Sequence, residues 1–461
     1  MRSASRFSRL TSFTQRLAGR RAHAWLAGAV TLVVSCSLVA TECAAANALG
    51  PSRVSDAVLV RGDRLVPFQG RSIRDMSLFA VRGRELEPIP FQIDERQGDQ
   101  PGDQPWVYTE GAYARPDSDG GALDANDELA FMARDAGVRT AERPAGARDV
   151  LELEVRDPVG GEAAYVYLAC FDHDPPRSTE TYVRLDSHKD AISTTNYFVS
   201  FSTSVPISWS NLTLRGPHGE VEADLLDRLK VRIRALFLLG LVEWKVNEEE
   251  LKSIPVGYRS GPVRVIRRVA NKLETGLGLA SSEYLLDTVY YENAVILPAF
   301  VEVPFEPGFF MKDISIRISV DFTKHMQGWK FSSSRNPNPV MIDGVMSSEE
   351  QTLDRGDTDW VVLSKGSQAL FSRSLLLDPR LKNVVRGLYY VDDATAADPP
   401  ESEPGQTPGV GFEFTHFEGA TAGSYKTLGE VYIVNGYERG MEKEFFDLRS
   451  KPLTVTAKPV P

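Results

Sequence analysis

The sequence predicts an all-β protein built from antiparallel sandwiches, because three observations agree. Most apolar runs are short and alternate with period two, they are rich in Val, Ile, Tyr and Phe, and clusters of Gly, Pro, Asp and Asn bound them. Arginines at alternate positions of 231–234, and the three arginines interleaved with apolar residues in 263–268, are typical of strands with one solvated face. The clearest predicted strands lie within 56–62, 149–157, 162–171, 261–269, 314–322, 359–364 and 429–437.

Helix is predicted to be rare, and the best candidate is 221–230 (VEADLLDRLK). The apolar run that follows, 235–244 (ALFLLGLVEW), is too short to span a bilayer. It is interpreted either as a helix or hairpin packed on a sheet face, or as a loop that contacts lipid. The Pro-rich acidic stretch 394–409 predicts an exposed, mobile loop.

The chain is long enough for two or three domains, since it has 461 residues. The strand pattern breaks at 172–180 (DHDPPRSTE), which predicts a domain boundary there. The first domain would then cover 50–175, a normal size for a sandwich. The remainder, 180–461, would be one large β domain that contains the acidic loop 394–409.

The charge balance excludes one class of partner. The formal net charge is -11, and the first 46 residues contain six Arg and one Glu, so the rest has 46 basic and 62 acidic residues, about -16. Phosphate binding needs clustered Lys and Arg. Neither nucleic acid nor an anionic lipid surface is therefore expected as a partner.

Residues 1–46 are predicted to be a signal peptide. Six Arg precede an apolar run from Ala24 to Ala40, and small residues around Ala46 fit a cleavage site. We therefore expect export to the periplasm or beyond, in a bacterial cell. Two alternatives stay open: lipidation of Cys36, which follows Val33-Val34-Ser35 and would attach the protein to the outer membrane, and an uncut anchor.

Cysteine is scarce, with Cys36, Cys43 and Cys170 only. Cleavage at Ala46 would leave one thiol, so no disulfide framework is expected. Cys170 lies in the apolar run 163–171 and is predicted to be a buried core thiol.

Three segments carry a family resemblance: IPFQIDE (89–95), NDELAFMARDAG (126–137) and SGPVRVIRR (260–268). The first two resemble strands of β-sandwich modules in bacterial secreted proteins that accompany glycan-processing enzymes. The third is similar to a strand of the galactose-mutarotase-like supersandwich. The resemblance implies an immunoglobulin-like sandwich followed by a larger supersandwich, in a glycan-linked context.

The acidic loop 117–131 (DSDGGALDANDELAF) is a candidate calcium site. Calcium takes six to eight oxygen ligands, which closely spaced carboxylates on a turning loop supply. The loop lacks the glycine and apolar positions of an EF-hand, so the alternative is a solvated turn that Asp and Asn stabilise by bonding their own backbone. The candidate ligands are Asp117, Asp119, Asp124, Asn126 and Glu128.

No complete catalytic motif occurs, so function is predicted from candidate binding residues. His325 and Trp329 lie together after a predicted strand, and Trp209 and Trp360 are candidate exposed rings; aromatic faces stack on sugars. The leading hypothesis is an exported envelope protein that binds or handles a polysaccharide. A polysaccharide lyase or glycoside hydrolase is the first alternative, and a structural component of an envelope complex is the second; whether the protein is an enzyme is left open.

Overall fold

The structure, a computed structural model, describes residues 49–97, 106–116, 119–216, 221, 223–237, 241–273, 283–303, 311–417, 420–421 and 423–461. The described chain is all-β, as predicted, and its strands pair antiparallel in every sheet. All of the clearest predicted strands are present as strands. Within these described ranges, no helix has the length and apolar character that a membrane crossing needs.

The first part of the chain forms a two-layer sandwich. A three-stranded sheet has the order β1-β5-β4, and a five-stranded sheet has the order β26-β6-β7-β2-β3. Alternate apolar side chains of both sheets meet in one core, which includes Val60, Leu129, Leu78 and Leu153. The strands are β1 (Ala57–Arg61), β2 (Met76–Arg82), β3 (Glu85–Pro88), β4 (Phe91–Asp94), β5 (Glu128–Met132), β6 (Asp149–Arg156), β7 (Ala163–Cys170) and, from the chain's end, β26 (Thr454–Pro459).

The last strand completes the first sandwich. Strand β26 pairs with β6 from Thr454 opposite Arg156 to Pro459 opposite Leu151. Val455 and Ala457 pack against the sandwich core. The predicted domain limits of 50–175 and 180–461 did not include this exchange, because pairing between strands so far apart in sequence leaves no local pattern.

The larger part is built on a nine-stranded sheet. Its strands and those of its partner sheets follow one another with short loops, apart from two helices and several single turns of 3₁₀ helix. The elements are β8 (Val183–Asp186), β9 (Ala191–Thr194), β10 (Tyr197–Phe201), β11 (Trp209–Leu214), β12 (Leu226–Phe237), β13 (Val242–Asn247), β14 (Leu251–Ser260), β15 (Arg264–Leu273), β16 (Tyr284–Tyr291), β17 (Ala294–Val303), β18 (Met311–Phe322), β19 (Lys330–Ser333), β20 (Val340–Met341), α1 (Ser348–Gln351), β21 (Trp360–Lys365), β22 (Gln368–Leu376), β23 (Val385–Asp393), β24 (Gln406–Thr415), β25 (Gly423–Asn435) and α2 (Glu442–Arg449).

Three sheets share the main core. The nine-stranded sheet has the order β14-β15-β16-β17-β25-β22-β21-β19-β20. One of its faces packs against a four-stranded sheet, β11-β10-β9-β8, and a five-stranded sheet, β13-β12-β18-β24-β23. Its other face is covered by α2, whose Phe445 and Phe446 pack on Phe371 of β22.

The helix predicted at 221–230 is wrong. Residues 226–237 form strand β12, which pairs with β18 on one side and β13 on the other. The long-range pairing with β18 runs from Leu226 to Phe237, and the hairpin with β13 adds hydrogen bonds from Arg232 onward. These pairings outweigh a local helical pattern. The apolar run 235–244 lies in the β12–β13 hairpin, apart from residues 238–240, which lie outside the described ranges.

Candidate functional site

The aromatic residues singled out in the sequence do not form a binding platform. Trp329 is fully buried and Trp209 is 8% exposed, so the expectation that these two rings are exposed is wrong. Both side chains point into the main core, where the Trp209 ring lies 6.4 Å from that of Tyr290. Trp360 is half-buried and stacks on Phe446 at 6.3 Å.

His325 is exposed, on a single 3₁₀ turn that follows β18. Its backbone N–H donates to the hydroxyl of Thr323 at 3.3 Å. The neighbouring Trp329 points inward, so the pair His325 and Trp329 cannot hold one sugar between them. The expectation that this segment edges a cleft with both side chains exposed is therefore wrong for Trp329.

The acidic loop makes turns by bonding its own backbone. The carboxylate of Asp119 accepts from the backbone N–H groups of Gly121 and Ala122, and that of Asp124 accepts from those of Asn126 and Asp127. These are the contacts that the alternative of a solvated turn predicts.

Glu128, the last candidate ligand, faces arginines. Its carboxylate lies 2.5 Å from Arg96 and 3.0 Å from Arg264. No group of three or more His, Cys, Asp or Glu within the described ranges is placed to hold a metal ion. Asp117 lies outside the described residues, and calcium binding at this loop stays a prediction.

A cationic pocket of about 390 Å³ lies at the end of the nine-stranded sheet. Among its lining residues are three cations, Lys330, Lys365 and Arg439, and two hydroxyl groups, those of Ser364 and Tyr437. Gly328, Pro339 and Gly366 complete the lining. We call this set the cationic pocket.

Strand pairing brings the pocket residues together. Lys330 of β19 lies opposite Ser364 of β21, so both side chains are on the same face of the sheet. The tight β21–β22 turn places Lys365 opposite Gln368, and its Gly366 has a φ of 59°, which glycine adopts without strain. The chain returns to the same corner after β25, where the Tyr437 N–H donates to the Ser367 carbonyl at 2.7 Å.

Two side chains that reach the pocket are held firmly. The Tyr437 hydroxyl donates to Glu442 at 2.5 Å, and burial raises the pKa of Tyr437 above its ordinary value. Arg439 donates to the Pro337 carbonyl at 3.3 Å and to Asn338 at 3.0 Å, and so bridges the loop between β19 and β20. The wall of the pocket therefore has a defined shape.

The lining of the cationic pocket is positively charged, although the protein as a whole is acidic. Lys330, Lys365 and Arg439 are exposed, and within the described ranges none of them has an ion-pair partner. No carboxylate is among the eight lining residues, although the whole chain carries a net charge of -11. Cations that share a concave surface focus a positive potential there, which favours an anionic ligand.

Sequence reasoning missed this pocket because its residues are spread over four segments that only the sheet brings together. Lys330, Ser364 and Tyr437 look like ordinary strand-end residues in the sequence. Lys330 even lies beside Trp329, which the sequence analysis did select. A count of unpaired cations cannot be made from a sequence alone, so no local signal could have found the site.

The segments that carried the family resemblance meet in a buried ion network. Arg264 of the third segment is 1% exposed and contacts Asp94 of the first at 2.7 Å and Glu128 of the second at 3.0 Å. The Gln92 side chain accepts from the backbone N–H groups of Val263 and Arg264. This network joins the first sandwich to the edge of the nine-stranded sheet, and its groups satisfy one another.

No family model matches this sequence, and no curated protein is significantly similar to it. Among solved structures, the chain is similar to an alpha-mannosidase from Enterococcus faecalis V583, with 8% identity and a TM-score of 0.46, over 91% of this chain and 47% of that one. It is also similar to a protein in the glycosyl hydrolase family 38 from Enterococcus faecalis, with 9% identity and a TM-score of 0.41, over 88% and 45%. The chain thus spans about half the length of each of these proteins.

Proposed function

We propose that the protein binds an acidic polysaccharide and that the cationic pocket holds one of its charged sugar units. The observation that carries this proposal is the set of three exposed cations, Lys330, Lys365 and Arg439, without ion-pair partners among the described residues and around one cavity. Carboxylates and sulfates are the groups on polysaccharides that such cations recognise. The volume of about 390 Å³ is within the usual range for small-ligand sites.

The hydroxyl groups in the pocket support a sugar rather than a simple ion. Ser364 and Tyr437 line the pocket together with the cations, and hydroxyl oxygens are groups that can accept from sugar hydroxyls, even where, as in Tyr437, the hydroxyl proton is donated elsewhere. Gly328 and Gly366 expose backbone at the rim, where a bulky ring meets no side chain. A bare inorganic anion would need only the three cations.

The composition of the pocket favours binding over hydrolysis. Glycoside hydrolysis uses two carboxylates on either side of the scissile bond. The lining residues of the pocket include neither Asp nor Glu. The buried carboxylates Asp94, Asp287 and Glu430 each form an ion pair with an arginine instead.

Export remains part of the proposal and rests on the N-terminal sequence. A basic start, an apolar run and small residues before Asn47 are expected to direct the chain out of the cytoplasm, with cleavage near Ala46. The mass of the protein purified from cells would test this directly. A mature chain that begins after Ala46 supports cleavage, whereas a lipid adduct on Cys36 would place the protein at the outer membrane.

Binding is tested by affinity electrophoresis with polygalacturonate and with a neutral glucan such as pullulan. We expect retardation by polygalacturonate only, and a loss of at least about tenfold in affinity for Lys330→Ala/Lys365→Ala, since each charged contact contributes roughly 1–2 kcal/mol. Retardation should also weaken with added salt.

The matched control is Lys189→Ala/Lys443→Ala. It removes the same charge from side chains that are 80% and 81% exposed and lie elsewhere on the surface. We expect this control to bind polygalacturonate as the wild type does. If both double variants lose the same affinity for polygalacturonate, the loss is caused by the change in net charge, and the proposed site is contradicted.

A further inference from the structure

The acidic loop between β23 and β24 folds back over its own sheet. We call residues 394–405 the strap; the sequence predicted this segment as an exposed and mobile loop. Asp398 and Glu401 of the strap are 19% and 14% exposed. The strap backbone is held as well, because Asp227 accepts from the N–H groups of Ser402 and Glu403.

The strap covers three cations on the outer face of the five-stranded sheet. Asp398 lies 3.3 Å from Arg232, 2.5 Å from Arg317 and 3.7 Å from Lys230. Glu401 lies 3.6 Å from Lys230. One carboxylate thus bridges three positive side chains.

The register of the strands explains why an anion is needed there. Arg232 of β12 lies directly opposite Arg317 of β18. Like charges at directly opposite positions of a sheet are destabilising unless an anion lies between them. Asp398 supplies that anion in this state of the protein.

The face of the sheet that carries these cations is buried in this structure, with Lys230 at 1% and Ser319 at 2% exposure. Across four strands, Lys230, Ser319, Gly411 and Tyr389 form one row, so a flat glycine position lies between a cation and an aromatic ring. The guanidinium of Arg317 stacks on the Tyr389 ring at 4.2 Å. Aromatic rings and flat sheet faces are surfaces on which sugar rings stack.

If the strap moves away from the sheet, two of the three cations keep another carboxylate as a partner. Lys230 keeps Asp321 at 2.5 Å, and Arg232 keeps its contact with Glu248. Only Arg317 has no second carboxylate among the described residues.

The strap holds no cation, and its apolar residues are three alanines and three prolines without a large side chain. Besides the ion pairs, Lys230 donates to the Asp398 carbonyl at 2.7 Å, and Arg232 donates to the Asp398 and Pro399 carbonyls.

We propose that this face is a second binding surface for a carboxylate-bearing polysaccharide, and that the strap occupies it as a competitor through Asp398 and Glu401. A ligand carboxylate would replace Asp398 between Arg232 and Arg317. This inference shares with the proposed function only the class of ligand, since it involves a different sheet and different residues. It assigns the strap the role of an internal inhibitor of binding.

The test measures polygalacturonate affinity in a Lys330→Ala/Lys365→Ala background, which isolates the second surface from the cationic pocket. Adding Asp398→Asn and Glu401→Gln should raise the affinity by about three- to tenfold, because removing the competitor raises the binding-competent fraction. The matched control adds Glu403→Gln, which removes a charge from an exposed strap residue that makes no ion pair with a described residue. That control should leave the affinity unchanged.

Hydrogen–deuterium exchange of 394–405 in the otherwise unaltered protein gives a second readout. Polygalacturonate should increase exchange of the strap amides, including those of Ser402 and Glu403, which Asp227 holds in the free protein. Unchanged exchange, or an unchanged affinity in the Asp398 and Glu401 variant, overturns the inference. Failure of the cationic pocket would show separately, as full binding by the lysine double variant with the strap intact.

Discussion

Replacing Arg264 by Met should uncouple the first sandwich from the nine-stranded sheet. The guanidinium is 1% exposed and contacts Asp94 at 2.7 Å, Glu128 at 3.0 Å and the Tyr291 hydroxyl at 3.1 Å. Burial alone lowers the pKa of Arg264, but Tyr291, Asp94 and Glu128 together raise it well above its ordinary value. The cation is therefore strongly held, and its loss leaves buried negative charge behind.

The size of the effect follows from the partners that remain. Breaking a buried ion pair by removing one partner costs about 3–5 kcal/mol. Asp94 keeps Arg259 at 3.0 Å, and Glu128 keeps Arg96 at 2.5 Å, so neither carboxylate becomes fully uncompensated. We therefore expect Arg264→Met to lower the free energy of unfolding by about 2–3 kcal/mol.

Urea unfolding followed by tryptophan fluorescence measures this change, and a double variant locates its cause. Asp94→Asn combined with Arg264→Met should cost less than the sum of the single changes, by about 1–2 kcal/mol, because the two residues interact directly. Arg156→Met is the control, since this side chain is 51% exposed in its pair with Glu154 and should change stability by less than about 0.5 kcal/mol. If Arg264→Met unfolds at the same urea concentration as the wild type, the network does not stabilise the junction.

Three further outcomes are expected. Trp329→Ala should cost about 3–5 kcal/mol of stability, because the ring is fully buried, and a stable variant that had lost glycan binding would contradict this core position. Burial raises the pKa of Asp392 to about 6, although the backbone N–H groups of Asp343 and Gly344 donate to its carboxylate and lower the pKa. Its stabilising contribution is thus complete below its unfolded pKa of 3.8 and is lost as pH rises through about 6. The unfolding free energy of the wild type minus that of Asp392→Asn should therefore grow by up to about 3 kcal/mol from pH 7 to pH 4, and a flat difference in urea titrations would refute it. If the acidic loop binds calcium, the melting temperature should be higher in calcium than in EDTA, and Asp119→Asn should abolish the difference; equal melting temperatures would leave the loop a solvated turn.

Local patterns in the sequence were sufficient for the fold class and for the seven clearest strands, which are a minority of the 26 in the described part of the chain. Strand β6 and strand β18 were predicted because apolar and polar residues alternate along them, and the two faces of a sheet have different surroundings. The helix predicted at 221–230 was wrong, because the apolar residues there also fit a helical period, whereas 231–234 was correctly predicted as a strand. Only pairing with β18 and β13 decides between the two structures.

Burial and pairing across long sequence distances were decided by the tertiary structure alone. The sequence could not tell that Trp329 points into the core while Lys330, one residue later, faces the cationic pocket, since that depends on which sheet face is covered. Nor could it place the strap on Arg232 and Arg317, or β26 beside β6. Composition and the alternation of apolar and polar residues are local features of the chain. They were sufficient to predict an all-β protein and an export segment. Both proposed binding surfaces depend on residues that are distant in sequence and adjacent only after the sheets have formed.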